Sequence, residues 1–120
     1  MPKKILLVDD EPNILLSLEF MMSKAGYQVY IARNGNEAFY LLEENSPDLI
    51  VLDIMMPDVD GYEICTYIRG SERHAQARVI FLSAKSRKED IDKGYQLGAD
   101  LYMTKPFSTK KLMKAIEQLA

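Results

Sequence analysis

One cysteine, one histidine and no tryptophan stand among the 120 residues of this chain. With Cys65 alone there is no internal disulfide and no cysteine-based zinc site, and the chain fits a reducing compartment such as the cytoplasm. As a small apolar side chain, Cys65 is expected in the core. His74 lies in a polar stretch without a neighbouring ligand set. No apolar run approaches the length that spans a bilayer, so no membrane segment is expected. Met1-Pro2-Lys3-Lys4 leads straight into a strand-like run and does not resemble a signal peptide. Positive charge is not in excess either: 15 Lys and Arg against 18 Asp and Glu give a net charge of −3. That balance argues against nucleic acid or an anionic membrane as a direct partner. Internal repeats, low-complexity tracts and linkers are missing too. The length suits one domain, 1–120, with one core.

What is present centres on Leu49 to Gly61, LIVLDIMMPDVDG. Four apolar residues in unbroken succession suit a strand covered on both faces. The run stops at Asp53, and Pro57, Asp58, Asp60 and Gly61 mark a loop. Lys4 to Asp9 reads as a second such strand, running into Asp9, Asp10 and Glu11. Pro12 suits a first helical turn. Ile14, Leu15, Leu18, Met22 and Ala25 follow at helical spacing, and Gly26 supplies the stop. Tyr27 to Ala32 is strand-like, and Asn34-Gly35 reads as a turn. Ala38, Leu41 and Leu42 mark a helix that fades at Asn45-Ser46-Pro47. Tyr62 to Arg69 forms another helix, with Ile64, Cys65 and Ile68 inward. Gly70 to Gln76 is the most polar stretch and reads as a surface loop. Arg78 to Leu82 is a strand ending at Ser83. Ser86 to Glu89 has the form of a capping box opening a helix through Ile91, Gly94, Tyr95 and Gly98, with a thin apolar face. Asp100 to Thr104 is a short strand. A last helix starts near Ser108, with Leu112, Met113, Ile116 and Leu119 inward.

Five strands alternating with five helices predict an α/β fold: a doubly wound, five-stranded parallel sheet with helices on both faces. All strand carboxyl ends then lie along one edge, where such sheets bind ligands. Asp9 and Asp10, Asp53, Ser83 and Lys105 all fall there. In the flavodoxin-like order 2-1-3-4-5, the first and third strands are neighbours, which brings Asp9, Asp10 and Asp53 together.

Three clustered carboxylates repel; two charges about 5 Å apart cost roughly 3 kcal/mol at an effective dielectric near 20. A hard divalent cation relieves this, and oxygen ligands suit Mg²⁺. Lys105 adds a point charge and Ser83 a hydroxyl donor. Such a set suits phosphoryl transfer, in which positioning and charge neutralisation dominate and a carboxylate can be the nucleophile. Asp9 and Asp10 can also serve simply as helix-start carboxylates. No G-x-G-x-x-G or P-loop pattern follows the first strand, so a dinucleotide or P-loop nucleotide site is not expected. A small-molecule aspartyl phosphatase would need a substrate cap, for which the chain is too short.

Four motifs carry a resemblance to a known family: VDDEP at Val8 to Pro12, LDIMMPDVDG at Leu52 to Gly61, LSAK at Leu82 to Lys85, and GADLYMTKPF at Gly98 to Phe107. In this order and at these spacings they resemble the receiver domain of two-component response regulators, over essentially the whole chain. The resemblance implies that Asp53 accepts a phosphoryl group from the phosphohistidine of a sensor histidine kinase or a histidine phosphotransfer protein. It implies Mg²⁺ on Asp9, Asp10, Asp53 and the Met55 carbonyl, and Lys105 on a phosphoryl oxygen. Ser83 would reach another oxygen and couple the site to Tyr102, the switch aromatic. Met55, Ala84 and Lys85 would border access to the phosphoryl group. Met55 and Met56 are otherwise expected to pack. A cis Lys105-Pro106 bond is also implied.

The fourth helix, fifth strand and fifth helix would form the output face, acting on an output domain or a downstream protein. Winged-helix regulators form a phosphorylation-dependent homodimer there through charged pairs. This chain keeps Lys88 and Asp100 of that set but carries Leu101, Lys111 and Ala115 at other positions. The chain ends just after the last helix, so no effector domain is expected within it. The alternative function is a phosphorylation-independent interaction module of the same fold, which would have no need of the acidic set and Lys105.

Overall fold

A computed structural model describes residues 3–119. The elements are β1 (Lys4–Val8), α1 (Pro12–Lys24), β2 (Gln28–Ala32), α2 (Gly35–Glu44), β3 (Leu49–Leu52), α3 (Gly61–Gly70), β4 (Arg78–Ser83), α4 (Lys88–Gln96), β5 (Leu101–Thr104) and α5 (Thr109–Leu119). The strands form one parallel sheet in the order β2-β1-β3-β4-β5. Ile5 to Val8 and Leu49 to Leu52 are buried throughout, because helices cover both faces of the central strands. On one face, Ile5, Leu7 and Val51 pack with Leu15, Leu18 and Met22 of α1 and with Leu112 and Ile116 of α5. On the other, Leu6, Ile50 and Phe81 pack with Ala38 and Leu42 of α2 and with Ile64, Cys65 and Ile68 of α3. Cys65 is thus a core side chain, as expected.

Two helix starts differ from the sequence reading. Asn34-Gly35 is no free turn: Asn34 caps α2, its side chain accepting from the Glu37 amide at 2.9 Å, and Gly35 is the first helical residue. The reading of Ser86 to Glu89 as a capping box is wrong. Arg87 occupies the capping position, Ser86 lies one residue too early, and no side chain caps α4. Its opening turn is fastened by other means, described below.

The polar stretch 70–76 is not simply solvated. His74 is only 2% exposed, and its Nε2 lies 2.7 Å from the Leu42 carbonyl. Since a carbonyl can only accept, Nε2 carries the proton. Arg73 donates to the Glu43 carbonyl and to Ser46 Oγ, and Asn45 to the Leu41 carbonyl. The Leu42 and Glu43 carbonyls, which α2 cannot satisfy itself, are thereby paired, while the Leu41 carbonyl also accepts from the Asn45 amide at 2.9 Å. The segment is polar because it closes a helix end. Asp100 is likewise committed inside the domain. Its carboxylate accepts from Arg69 at 3.0 Å, Arg78 at 3.4 Å and the Val79 amide at 2.8 Å.

The β3–α3 loop returns the chain against β3. The Gly61 amide donates to the Ile54 carbonyl at 2.9 Å, and a Cβ on Gly61 would sit 2.2 Å from the Asp53 carbonyl oxygen. That contact is with backbone, which cannot swing aside. Gly61→Ala is therefore expected to lower stability by at least about 2 kcal/mol, the range of strained backbone sites. Urea unfolding checks this, and an unchanged midpoint would contradict the packing described.

Candidate functional site

The sheet ladder delivers the site residues to one edge. The Asp53 amide donates to the Val8 carbonyl at 2.9 Å and the Asp9 amide to the Ala32 carbonyl at 3.2 Å, so both aspartates extend their strands by one rung. Ser83 ends β4, and the Lys105 amide donates to its carbonyl at 2.8 Å. The Lys105-Pro106 bond is cis.

Lys105 Nζ stands 2.8 Å from Asp9 Oδ2, 2.9 Å from Glu11 Oε1 and 3.5 Å from Asp53 Oδ2. The remaining aspartate oxygens meet backbone: Asp9 Oδ1 accepts from the Glu11 amide at 3.0 Å and Asp53 Oδ1 from the Ile54 amide at 2.8 Å. Asp9 and Asp53 are buried, whereas Asp10 and Glu11 are exposed. One carboxylate oxygen from each of these four residues lies within 4.8 Å of the others. Glu11 is the residue that sequence reasoning passed over as a site member. The signal was its place in the acidic run beside Asp9 and Asp10.

Burial sets the electrostatics. It pushes the Asp53 carboxyl above its ordinary value, and the Asp9 charge pushes it further, against the pull of Lys105 and the Ile54 amide. Burial also raises Asp9, only partly offset by Lys105 and the Glu11 amide. Burial would lower the Lys105 ammonium, but hydrogen bonds to Asp9 and Glu11 and the charges of Asp53 and Asp9 outweigh it and raise it. One ammonium thus leaves both buried carboxylates short of positive charge. A hard cation on exclusively oxygen donors suits that deficit, and the donor set fits Mg²⁺.

The other candidates fall around this centre. Ser83 is fully buried, and its hydroxyl accepts from the Lys85 amide at 3.3 Å. Tyr102, 8% exposed, donates its hydroxyl to the Lys85 carbonyl at 2.7 Å, and burial pushes its phenol up to about 12. Ala84 lines a groove of about 420 Å³ with Glu11, Ile14, Lys105, Pro106 and Phe107. Met55 is 57% exposed and is not the packing residue expected from its type; it follows a strand end into an open loop. Met56 does pack against the core. The Lys85 ammonium lies 4.0 Å from Asp90 Oδ1, on the α4 side.

Comparison with known proteins agrees with this geometry. The family model described as the response regulator receiver domain matches residues 5–117. Among solved structures, the fold is similar to the chemotaxis protein CheY4 of Vibrio cholerae (27% identity, TM-score 0.93, 100% of both chains). It is also similar to the BeF3-activated DrrB receiver domain (35%, TM-score 0.89, 99% of this chain and 97% of that one). A third is the receiver domain of the Francisella response regulator 1452 (33%, TM-score 0.89, 98% and 95%).

The raised Asp53 carboxyl has a signed consequence. The native state holds that proton more tightly than the unfolded chain, so stability falls as pH rises from the unfolded value through the folded one. Without metal, Asp53→Asn is expected to melt higher than the wild type above about pH 5 and to converge with it near pH 3. Millimolar Mg²⁺ should stabilise the wild type more than the variant, because a cation held by the clustered carboxylates would be released on unfolding. Thermal melts across pH, with and without Mg²⁺, check both parts.

Proposed function

Because the chain belongs to the response regulator receiver family, and is thus a receiver domain of two-component signalling, we propose that Asp53 is its phosphoacceptor. Receivers of this family work between histidine kinases and downstream partners. Here the donor would be the phosphohistidine of a kinase or histidine phosphotransfer protein. The observation that carries the assignment is the setting of Asp53. It is buried beside a second carboxylate, 3.5 Å from the largely buried Lys105 ammonium, and its other oxygen is fixed by a backbone amide.

In the proposed reaction the Asp53 oxygen not held by the Ile54 amide attacks phosphorus in line. The phosphorus–nitrogen bond breaks, and its electron pair returns to the donor imidazole. Asp9, Asp10, Asp53 and the Met55 carbonyl would hold Mg²⁺, which supplies positive charge at the phosphoryl oxygens. Lys105 follows a phosphoryl oxygen once Asp53 carries the acyl phosphate, and Ser83 donates to another. Tyr102, bonded to the loop after Ser83, transmits that rearrangement to α4, β5 and α5. That face would control an output domain or partner protein. Because Asp100 is engaged by Arg69 and Arg78, a homodimer through free charges at that position is not favoured. No helix among the described residues is long and apolar enough to cross a membrane. A pure interaction module would gain nothing from two carboxylates held against their charge state.

Incubation with acetyl phosphate and Mg²⁺ is expected to add one phosphoryl group by mass spectrometry. Asp53→Asn is expected to take up none; undiminished labelling would refute the assignment.

Lifetime depends on whether water can line up behind the phosphoryl group. The two flanking side chains, Met55 and Lys85, offer no carboxamide or carboxylate to orient that water. Self-dephosphorylation is therefore expected to be slow, over minutes or longer, and faster in Met55→Asn and Lys85→Glu. Decay of purified phosphoprotein measures this. Loss within seconds, or no acceleration in either variant, contradicts it.

A further inference from the structure

The opening turn of α4 lacks a side-chain cap, yet one phenol fastens that turn and a second fastens the loop leading into it. Tyr102 donates to the Lys85 carbonyl at 2.7 Å, and Tyr62 donates to the Asp90 carbonyl at 3.0 Å, a buried bond. Tyr102 stands on β5, opposite Phe81 of β4. Tyr62 comes from elsewhere: it is the second residue of α3, directly after Gly61, whose backbone lies against the Asp53 carbonyl and Ile54. The Tyr62 ring is itself fixed, edge-on to Phe81 at 5.7 Å and beneath Lys93 Nζ at 4.3 Å.

Resting on the assignment of Asp53 above, we infer that Tyr62 is a second positioning residue of the switch, joining the β3–α3 loop that carries Asp53 to the first turn of α4 through the Asp90 carbonyl. The link enters from α3 rather than from β4, although the Tyr62 and Tyr102 hydroxyls also interact with one another. Both links converge on residues 85–90, where the Asp90 carboxylate also meets Arg87 at 3.3 Å and Lys85 at 4.0 Å. A rearrangement that starts at Asp53 thus reaches α4 from β4 through Tyr102 and from α3 through Tyr62. Coupling of this kind has both groups bias one element, here the segment 85–90.

Tyr62→Phe provides the test, because it removes the hydroxyl and leaves the ring contacts to Phe81 and Lys93. The probe is beryllofluoride with Mg²⁺, a mimic of the aspartyl phosphate, titrated by calorimetry. In this structure Tyr102 is buried with its hydroxyl committed to Lys85, as a seated switch ring requires. Losing a bond that holds the same loop should therefore weaken binding, by about fivefold for one hydrogen bond. The Tyr62→Phe/Tyr102→Phe double variant should lose less than the product of the two single losses, since both hydroxyls act on one element. An unchanged affinity beside a lowered melting temperature makes the hydroxyl merely structural and overturns the inference, as does tighter binding or a fully multiplicative double variant. Failure of the wild type to bind overturns the assignment of the site and this inference with it. Wild-type binding with an unaffected Tyr62→Phe overturns the inference alone.

Discussion

Two buried carboxylates share one ammonium, and that shortage of positive charge is the constraint on which the site depends. Asp9 and Asp53 are both pushed toward protonation by burial, while Lys105 touches Asp9 at 2.8 Å and Asp53 only at 3.5 Å. The fold tolerates this imbalance because the backbone ladder leaves the two strand ends no alternative. The first rung beyond β3 puts Asp53 beside Val8, and the rung beyond β1 puts Asp9 beside Ala32. Charge deficit at fixed positions is what a site for a metal and a phosphoryl group requires, since both bring interactions that the two carboxylates and Lys105 cannot supply by themselves.

Much of this was legible in the sequence for a specific reason. Unbroken apolar runs at Ile5 to Val8 and Leu49 to Leu52 have only one comfortable place, the middle of a covered sheet. From that and the alternation of elements, a parallel sheet and the shared edge for Asp9, Asp53, Ser83 and Lys105 follow, while the order 2-1-3-4-5 was that of the flavodoxin-like fold. The expected and observed orders agree.

What escaped the sequence is what depends on contacts between distant segments. His74 looked like a loop residue because its neighbours are polar, but its partner is a carbonyl at the end of α2, 32 residues away. Ser86 to Glu89 has the composition of a capping box, but the helix begins one residue later than that box requires. Glu11 joined the site through an ion pair with a residue 94 positions distant. Met55 is apolar yet exposed, because its loop leaves the sheet edge with nothing to pack on. Composition reports what a residue prefers, and none of these positions is decided by preference.

The distribution of packing also determines where a signal can go. The central strands are buried on both faces, and moving them would disrupt two cores at once. By contrast α4 buries only Asp90 and Gly94, with Ile91 and Leu97 partly covered. Gly94 lies against the ring of Tyr102 so closely that a Cβ would come within 2.9 Å of it. The helix is therefore attached less by apolar area than by the Tyr62 hydroxyl on its backbone, the Tyr102 hydroxyl on the loop before it, and contact with the Tyr102 ring. Hydrogen bonds of this kind are each worth about 1 kcal/mol net, the same size as typical couplings between sites. Under the proposed phosphorylation of Asp53, a perturbation too small to shift the sheet would be large enough to shift α4. The thin apolar face that made this helix hard to read from sequence is also what leaves it free to respond.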